Sequence, residues 1–501
     1  MEEYKIQLTN AYTIEQLADF VESGQVTFDR LKMARLTLQK QKDLQTELER
    51  RRKEREKEEG KYKEEEALYK FVDKERTLTA CETYFSKYKK DDPYAKHWYD
   101  VYAIYELIIG EIEWKKKKVL NDMKAYPERY RQENLGYLLG YKKIDDKQRE
   151  GLQKEPSPYA DFLLSGMTLS YDDLVEYDVI PKEIKKQDLV RPDFVMPATS
   201  IKDMGEFPTG RTDVYFFGVP RSGKSSLLSG LVYSLHDEGI AGYESHIVRG
   251  KDPCLKYYNG LINCMSTKKP PQGTATDTIS FMKLNIKDNG KKYVNRVNFV
   301  ELSGEAFEAI AEKNTPGCDL WAELGATKCL ESKNRKLLFF VLDYSIIAGR
   351  SSKTESEGES EGERQRQCLE DALKVFGTDG ENNTGKNCTL SKVDTVAIIM
   401  TKCDLMDCKS YEERKEMAQE YIDQNFREFM GTLEEKSRSF GINEQNNYKP
   451  YMLLFSLGQF YVGNTFLFDN YYSEKIIDFI RTTTRSEKIK GGCFGSIFGR
   501  G

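Results

Sequence analysis

Eight consecutive residues carry the most specific chemistry in the chain. Gly218-Val219-Pro220-Arg221-Ser222-Gly223-Lys224-Ser225 reads GxxxxGKS, set between a strand-like run, Thr212–Phe217, and a helical run that begins at Ser226. A loop of this kind points its backbone N–H groups and a helix N-terminus at phosphate oxygens. Gly218 and Gly223 permit the turn and the close approach. Lys224 supplies a point charge to the β and γ oxygens, and the Ser225 hydroxyl is a ligand for Mg²⁺. Arg221, Ser222 and Ser226 complete the expected phosphate cradle. On its own the loop implies a nucleoside triphosphate with magnesium.

Three further segments have the residue types to complete such a site. The strand-like run Tyr293–Leu302 ends in Glu301-Leu302-Ser303-Gly304-Glu305. A carboxylate at a strand end can hold a magnesium-bound water, and the Gly304 N–H can reach a γ-phosphate. Glu305 is the candidate for orienting the attacking water. The apolar run Asp394–Met400 ends in Thr401-Lys402-Cys403-Asp404. Asp404 can accept from guanine N1–H and N2 while the Lys402 stem packs on the ring, which favours guanine over adenine. Tyr451–Phe455 is followed by Ser456-Leu457-Gly458, placed where a base-contacting backbone loop would lie. Between the loop helix and the next strand, the Pro/Gly-rich stretch Lys268–Thr278 offers Thr276, with Thr274 as the alternative, to reach the γ-phosphate and Mg²⁺ and to release on hydrolysis.

This ordered set, GVPRSGKS, TAT, ELSGE, TKCD and FSLG, resembles the Ras-like (TRAFAC-class) P-loop GTPase superfamily over roughly residues 211–484. The stretch PPQGTAT and the Gly-Glu pair look most like the bacterial double-GTPase (DO-GTPase) branch. The resemblance implies an α/β domain with a mostly parallel, six-stranded sheet flanked by helices and nucleotide at the strand C-termini. It also implies GTP hydrolysis to GDP as a switch or as an assembly-regulated activity. Thr401 stands where Asn is usual, a replacement also found in dynamin-like members. Glu301 stands where Asp is usual, and Glu305 where a Gln often orients water. A second carboxylate near a γ-phosphate is unfavourable unless Mg²⁺ or an arginine offsets it, so slow, partner-dependent hydrolysis is expected. Arg221 is a candidate arginine finger in cis. An ATP-driven machine and a non-hydrolysing scaffold remain as alternatives.

The elements that must position these groups fill 211–487, with a charged low-complexity insertion near 351–367 expected to be a loop. Residues 1–190 read as mainly helical, 191–210 as an extended linker, and 488–501 as a Gly/Phe tail carrying Cys493. Leu36–Val72 is nearly continuous helix former, and Arg50–Glu66 is almost wholly Arg, Lys and Glu apart from Gly60. Mixed signs at helical spacing suggest a long solvated helix laced with i,i+4 pairs. A coiled coil is the other reading, which keeps a homodimer open. Three stretches, Ile14–Gly24, Asn134–Gly140 and Tyr159–Gly166, each read as a helix, a Gly stop and a Thr, Asp or Ser start to the next helix. Glu82–Ala95 reads as a helix ending before Pro93, with its tyrosines in the core. Units of this kind would bury surface on one another or on a protein partner.

Bulk properties exclude several classes. Among 501 residues the net charge is −5, which gives no general attraction to nucleic acid. No run approaches the ~18 apolar residues of a membrane span. Ten cysteines without a CxxC pair argue against structural zinc or a disulfide framework. With no secretory signal in MEEYKIQLTN, a cytoplasmic protein is expected.

Overall fold

The computed structural model describes residues 11–33, 36–192, 196, 208–244, 253–271, 279–287, 293–311, 330–347, 361–377, 388–408, 410–484 and 486–488, with only the backbone at 253, 309–311, 346–347, 361 and 487–488. The chain forms two compact units, Met1–Val119 with Pro156–Met167, and Leu120–Glu155 with Thr168–Gly501. Most of the expected linker, the Thr274 and Thr276 loop, and the Gly/Phe tail lie outside the described residues.

The first unit is helical, and local signals explain its boundaries. Helix α1 (Ile14–Glu22) starts on a capping box between Thr13 and Gln16. Helix α2 (Leu38–Glu75) starts on Thr37, whose side chain accepts from the Lys40 N–H, and ends where Arg76 turns left-handed. It runs through Gly60 unbroken, buries only Leu44, Glu65 and Val72, and carries pairs such as Arg50–Glu54 and Arg52–Glu56 one turn apart. Helix α3 (Leu78–Lys87) and helix α4 (Trp98–Ala125) follow. The helix expected to end just before Pro93 therefore stops earlier, because Tyr88 turns extended at φ −121°. Tyr84 and Tyr88 enter a small core with Val72, Ala80, Cys81 and Val101, whereas Tyr99 and Tyr102 are exposed. Beneath that core Glu65 accepts from the Tyr84 hydroxyl and the His97 N–H. The His97 ring lies 3.0 Å from both Glu66 and Asp100 and stacks on Tyr69.

The three glycine stops take the conformation that the sequence implied. Gly24, Gly140 and Gly166 have φ of +74°, +74° and +76°. Thr27, Asp145 and Ser170 then accept backbone N–H groups of the following helix. A left-handed turn strains any residue with a Cβ, so glycine is what lets each helix stop there.

The second unit is built on a mostly parallel sheet. Its strands are β1 (Thr212–Phe217), β2 (Ala241–Tyr243), β3 (Ile279–Lys287), β4 (Tyr293–Leu302), β5 (Arg335–Asp343), β6 (Val393–Thr401) and β7 (Tyr451–Phe455), in the order β2-β3-β4-β1-β5-β6-β7. The pairs from β4 to β7 are parallel, while β2 and β3 run antiparallel at one side. A short β10 (Ser486–Lys488) pairs with the start of β4, and β8 (Gly458–Tyr461) and β9 (Thr465–Phe468) form a separate hairpin. The expected sheet had six strands; the extra members are the antiparallel edge β2 and the short β10.

Helices α5 (Lys224–Asp237), α6 (Pro253–Ser266), α7 (Gly304–Ala311), α8 (Glu361–Phe376), α9 (Tyr411–Asn425), α10 (Arg427–Phe440) and α11 (Asn470–Thr483) cover it. Strand alternation sends Phe339 toward Phe479 of α11, but Phe217 toward Phe307 of α7 and Phe376 of α8, and Phe340 toward Phe429 of α10. Both faces are thus packed, which is why β1 is buried at every position. The fold class read from the sequence, a mostly parallel sheet flanked by helices behind a helical N-terminal region, is the one the chain adopts. Residues 361–367, expected as part of a charged loop, instead open α8. Glu363, Arg364 and Arg366 sit on its outer side while Gln365 and Leu369 are buried.

Candidate nucleotide site

The parallel register gathers the candidate residues at one edge. Phe216 pairs with Glu301, Phe217 with Phe340, Asp343 with Thr401, and Thr401 with Phe455. The C-terminal ends of β1, β4, β5, β6 and β7 therefore stand side by side, and all but β5 are followed directly by one of the polar segments. This is the edge at which open α/β sheets bind ligands, outside the strand ends where the strand order reverses around the central strand.

Sterics account for the glycines of the loop. A Cβ on Gly218 would lie 2.5 Å from the Val341 carbonyl oxygen and 2.7 Å from Ser222 Oγ, and Gly223 has φ +88°. Arg221 also has positive φ, at 64°, and its side chain is exposed. Lys224 opens α5 and is buried, with Nζ 2.6 and 2.9 Å from the Gly218 and Val219 carbonyl oxygens. Burial pushes its ammonium down to about 8, against the opposing pull of Glu301, Glu305 and Glu308. A buried ammonium held by loop carbonyls is a cation placed for an anion.

Next to it, Ser225 Oγ donates to Glu301 Oε1 at 2.6 Å. Glu301 is fully buried, and its other oxygen accepts from the Tyr257 hydroxyl. Donation of the Ser225 proton to Glu301 leaves the hydroxyl lone pairs for a cation. Hydroxyl and carboxylate are hard oxygen donors, few in number, which suits Mg²⁺ completed by water and phosphate oxygens. Gly304 starts α7 against the loop: a Cβ there would lie 2.1 Å from the Pro220 nitrogen. Glu305 follows it in the first helical turn, half-buried, and Glu308 pairs with Arg364 at 2.5 Å.

Beyond the loop, Thr401 is buried, with Oγ1 2.7 Å from the Ser222 carbonyl oxygen and 3.0 Å from that of Leu342. It thereby ties the end of β6 to the phosphate loop. Lys402 turns left-handed at φ 55° and brings Nζ to 2.6 Å from Asp343 Oδ2 and 3.0 Å from Ser345 Oγ. Asp404 is exposed, and one of its oxygens accepts from Ser456 Oγ at 2.6 Å. Ser456 Oγ in turn accepts from the Gly458 N–H at 3.0 Å, and Leu457 is buried beside it. Ser226 lies in the first turn of α5.

The sequence reading missed Tyr257, Asp343, Ser345 and Gln365. Asp343 ends the apolar strand β5 on the same edge and accepts from the Ser345 N–H at 2.8 Å. Its own N–H donates to Gln365 Oε1 at 3.1 Å, and the buried Gln365 amide nitrogen has no partner among the described residues. A terminal acid on a run such as RKLLFFVLD was a usable signal. Tyr257 had none, because its partner lies 44 residues away.

No protein-family model matches this sequence, and no curated protein does. Solved structures match in geometry alone. The bacterial selenocysteine-specific elongation factor EF-Sec matches at 13% identity and a TM-score of 0.23, covering 54% of this chain and 28% of its own. This chain thus spans under a third of that factor's length. The signal recognition particle receptor SRb-GTP/SRX complex from Chaetomium thermophilum matches at 13% identity and a TM-score of 0.26, covering 50% of this chain and 91% of its own. With likenesses this distant, the fold assignment rests on the strand order and registers of this chain.

Proposed function

We propose that this protein binds GTP with Mg²⁺ and hydrolyses it to GDP, as a molecular switch or an assembly-regulated GTPase of the Ras-like superfamily. The observation that carries the reading is the convergence, on one sheet edge, of a buried lysine, a serine–carboxylate pair and an exposed aspartate on successive strand ends. Lys224 neutralises phosphate charge, and the backbone of Gly218–Ser226, with Arg221 and Ser222, lines the phosphates. Ser225 and Glu301 would hold magnesium, which would offset the charge of the triphosphate, and Thr276 is the further ligand of this reading. Asp404, steadied by Ser456, selects guanine, and Lys402 packs on the base.

Hydrolysis falls to Glu305, next to Gly304 at the start of α7. Its carboxylate can orient water through a hydrogen bond, but it adds negative charge beside phosphate and makes the reaction slow without a partner. That same charge is what favours the second reading, a nucleotide-binding scaffold without turnover. The helical region is the partner-binding part: Leu107 and Trp114 on α4 are 72% and 60% exposed. Among the described residues no helix is long and apolar enough to cross a membrane, and a cytoplasmic location fits this reading. The narrower double-GTPase placement rests on PPQGTAT and Glu305.

Mass spectrometry of the nucleotide that co-purifies with the protein tests the base assignment, with GTP or GDP expected and adenine nucleotide overturning it. Asp404→Asn is expected to weaken GTP and to favour xanthosine triphosphate. Single-turnover phosphate release, with and without cell extract, separates the switch from the scaffold.

A further inference from the structure

Glu301 is one methylene longer than the aspartate usual at this strand end, and the structure shows what that methylene reaches. Both carboxylate oxygens are held from opposite sides, by Ser225 Oγ at Oε1 and by the Tyr257 hydroxyl at Oε2. Tyr257 projects from α6 and is, like Glu301, fully buried. Ser280 stands directly opposite Glu301 in the β3–β4 register and hydrogen-bonds the Tyr257 oxygen. A chain of hydroxyls therefore runs from Ser280 through Tyr257 to Glu301, with Ser225 closing it on the nucleotide side.

We propose that Tyr257 is a positioning residue for the magnesium site, matched to Glu301 so that the longer side chain keeps its oxygen on Ser225. The proposal rests on the magnesium and nucleotide reading above. Without a back tie, a glutamate has an extra rotatable bond and can swing its carboxylate off the serine. With Oε2 pinned by Tyr257, the same side chain presents a fixed oxygen beside Ser225. Groups that orient metal-binding carboxylates commonly govern metal affinity by 10–100-fold. Burial of the pair also means that water cannot substitute for the lost donor at no cost.

The test uses the full chain loaded with fluorescent GDP, with release followed across free Mg²⁺ concentrations and in EDTA. Tyr257→Phe is expected to raise the Mg²⁺ concentration for half-maximal retention about tenfold, while release in EDTA changes less than about twofold. Glu301→Asp alone is expected to weaken retention, and the double variant to be less impaired than the product of the two single effects, because a matched pair is non-additive. A purely space-filling tyrosine would alter release equally in both media or in neither, and either result overturns the proposal. Should Tyr257→Phe fail to fold, Ser280→Ala withdraws the donor behind Tyr257 and is expected to shift the Mg²⁺ midpoint in the same direction, about threefold as a fraction of that range; an unmoved midpoint overturns it. If the wild type itself holds GDP no better in Mg²⁺ than in EDTA, the underlying reading falls and takes the pair with it. A wild type that responds and a Tyr257→Phe variant that does not differ from it sink the pair alone.

Discussion

Along α2, charge apart from the buried Glu65 is worn mostly on the outside: Arg52 and Glu56 are 77% and 59% exposed and pair one turn apart. At the sheet edge the charged groups are inside: Lys224, Glu301 and Asp343 are 6%, 0% and 1% exposed. An exposed pair exchanges one set of water contacts for another and stabilises little. A buried charge has given up its hydration and must be met by fixed donors or by a ligand. The helix could exchange many of its pairs without altering the fold, whereas each buried group at the edge commits several distant residues.

The widest gap between the two regions should appear at Lys224. Lys224→Ala is expected to lower GTP affinity by ~100-fold, about 3 kcal/mol for lost charge-assisted bonds, in a fluorescent-nucleotide titration at fixed Mg²⁺. Unchanged affinity would remove the edge's claim to be a phosphate site. Gly304→Ala comes next. The new methyl meets the Pro220 backbone, so about 1–3 kcal/mol of stability should be lost, read by denaturant unfolding; a neutral result would mean that the loop yields freely.

His97 offers a smaller effect on the helical side. Burial alone would lower its pKa, but hydrogen bonds to Asp100 and Glu66 outweigh it and the net shift is upward. A raised folded pKa places the stabilisation below the unfolded value of ~6.5. It is then lost as pH rises through the folded value. Hydrogen exchange, corrected for intrinsic rates, should show the start of α4 better protected at pH 6 than at pH 8, and His97→Gln should flatten the difference. Smallest of all, Arg52→Ala should leave the melting temperature unresolved from wild type; a clear drop would show that α2 depends on its pairs.

The two regions also differ in how much of them the sequence disclosed. Local rules cover helix ends, so the stops at Gly24, Gly140 and Gly166 and the starts at Thr27 and Ser170 could be read directly. Strands β1, β4 and β7 were found at their observed bounds because β1 and β7 are short, largely apolar runs and β4 is rich in β-branched and aromatic residues. The edge residues that follow those strands were visible for the same reason. Contacts between distant segments were not: Tyr257 with Glu301, Lys402 with Asp343, and Thr401 with the Ser222 carbonyl each join residues 44 to 179 positions apart. The N-terminal half of α8 was misjudged because SEGERQRQ is polar enough to pass for a loop, while Gln365 and Leu369 anchor the helix by side chains spaced one turn apart.

The Thr401 hydroxyl has a thermodynamic consequence. Because it fastens the end of β6 to the Gly218–Ser225 loop, the two halves of the nucleotide proposed above would meet receptors whose separation is already set. The entropy of bringing those receptors into register is lost once, when the chain folds, and is not charged again at each binding event. Base and phosphates would then act as the two teeth of a chelate: capture of one would raise the effective concentration of the other at its own subsite. Loosening that single stitch should make the two ends of the ligand bind as if they belonged to separate molecules.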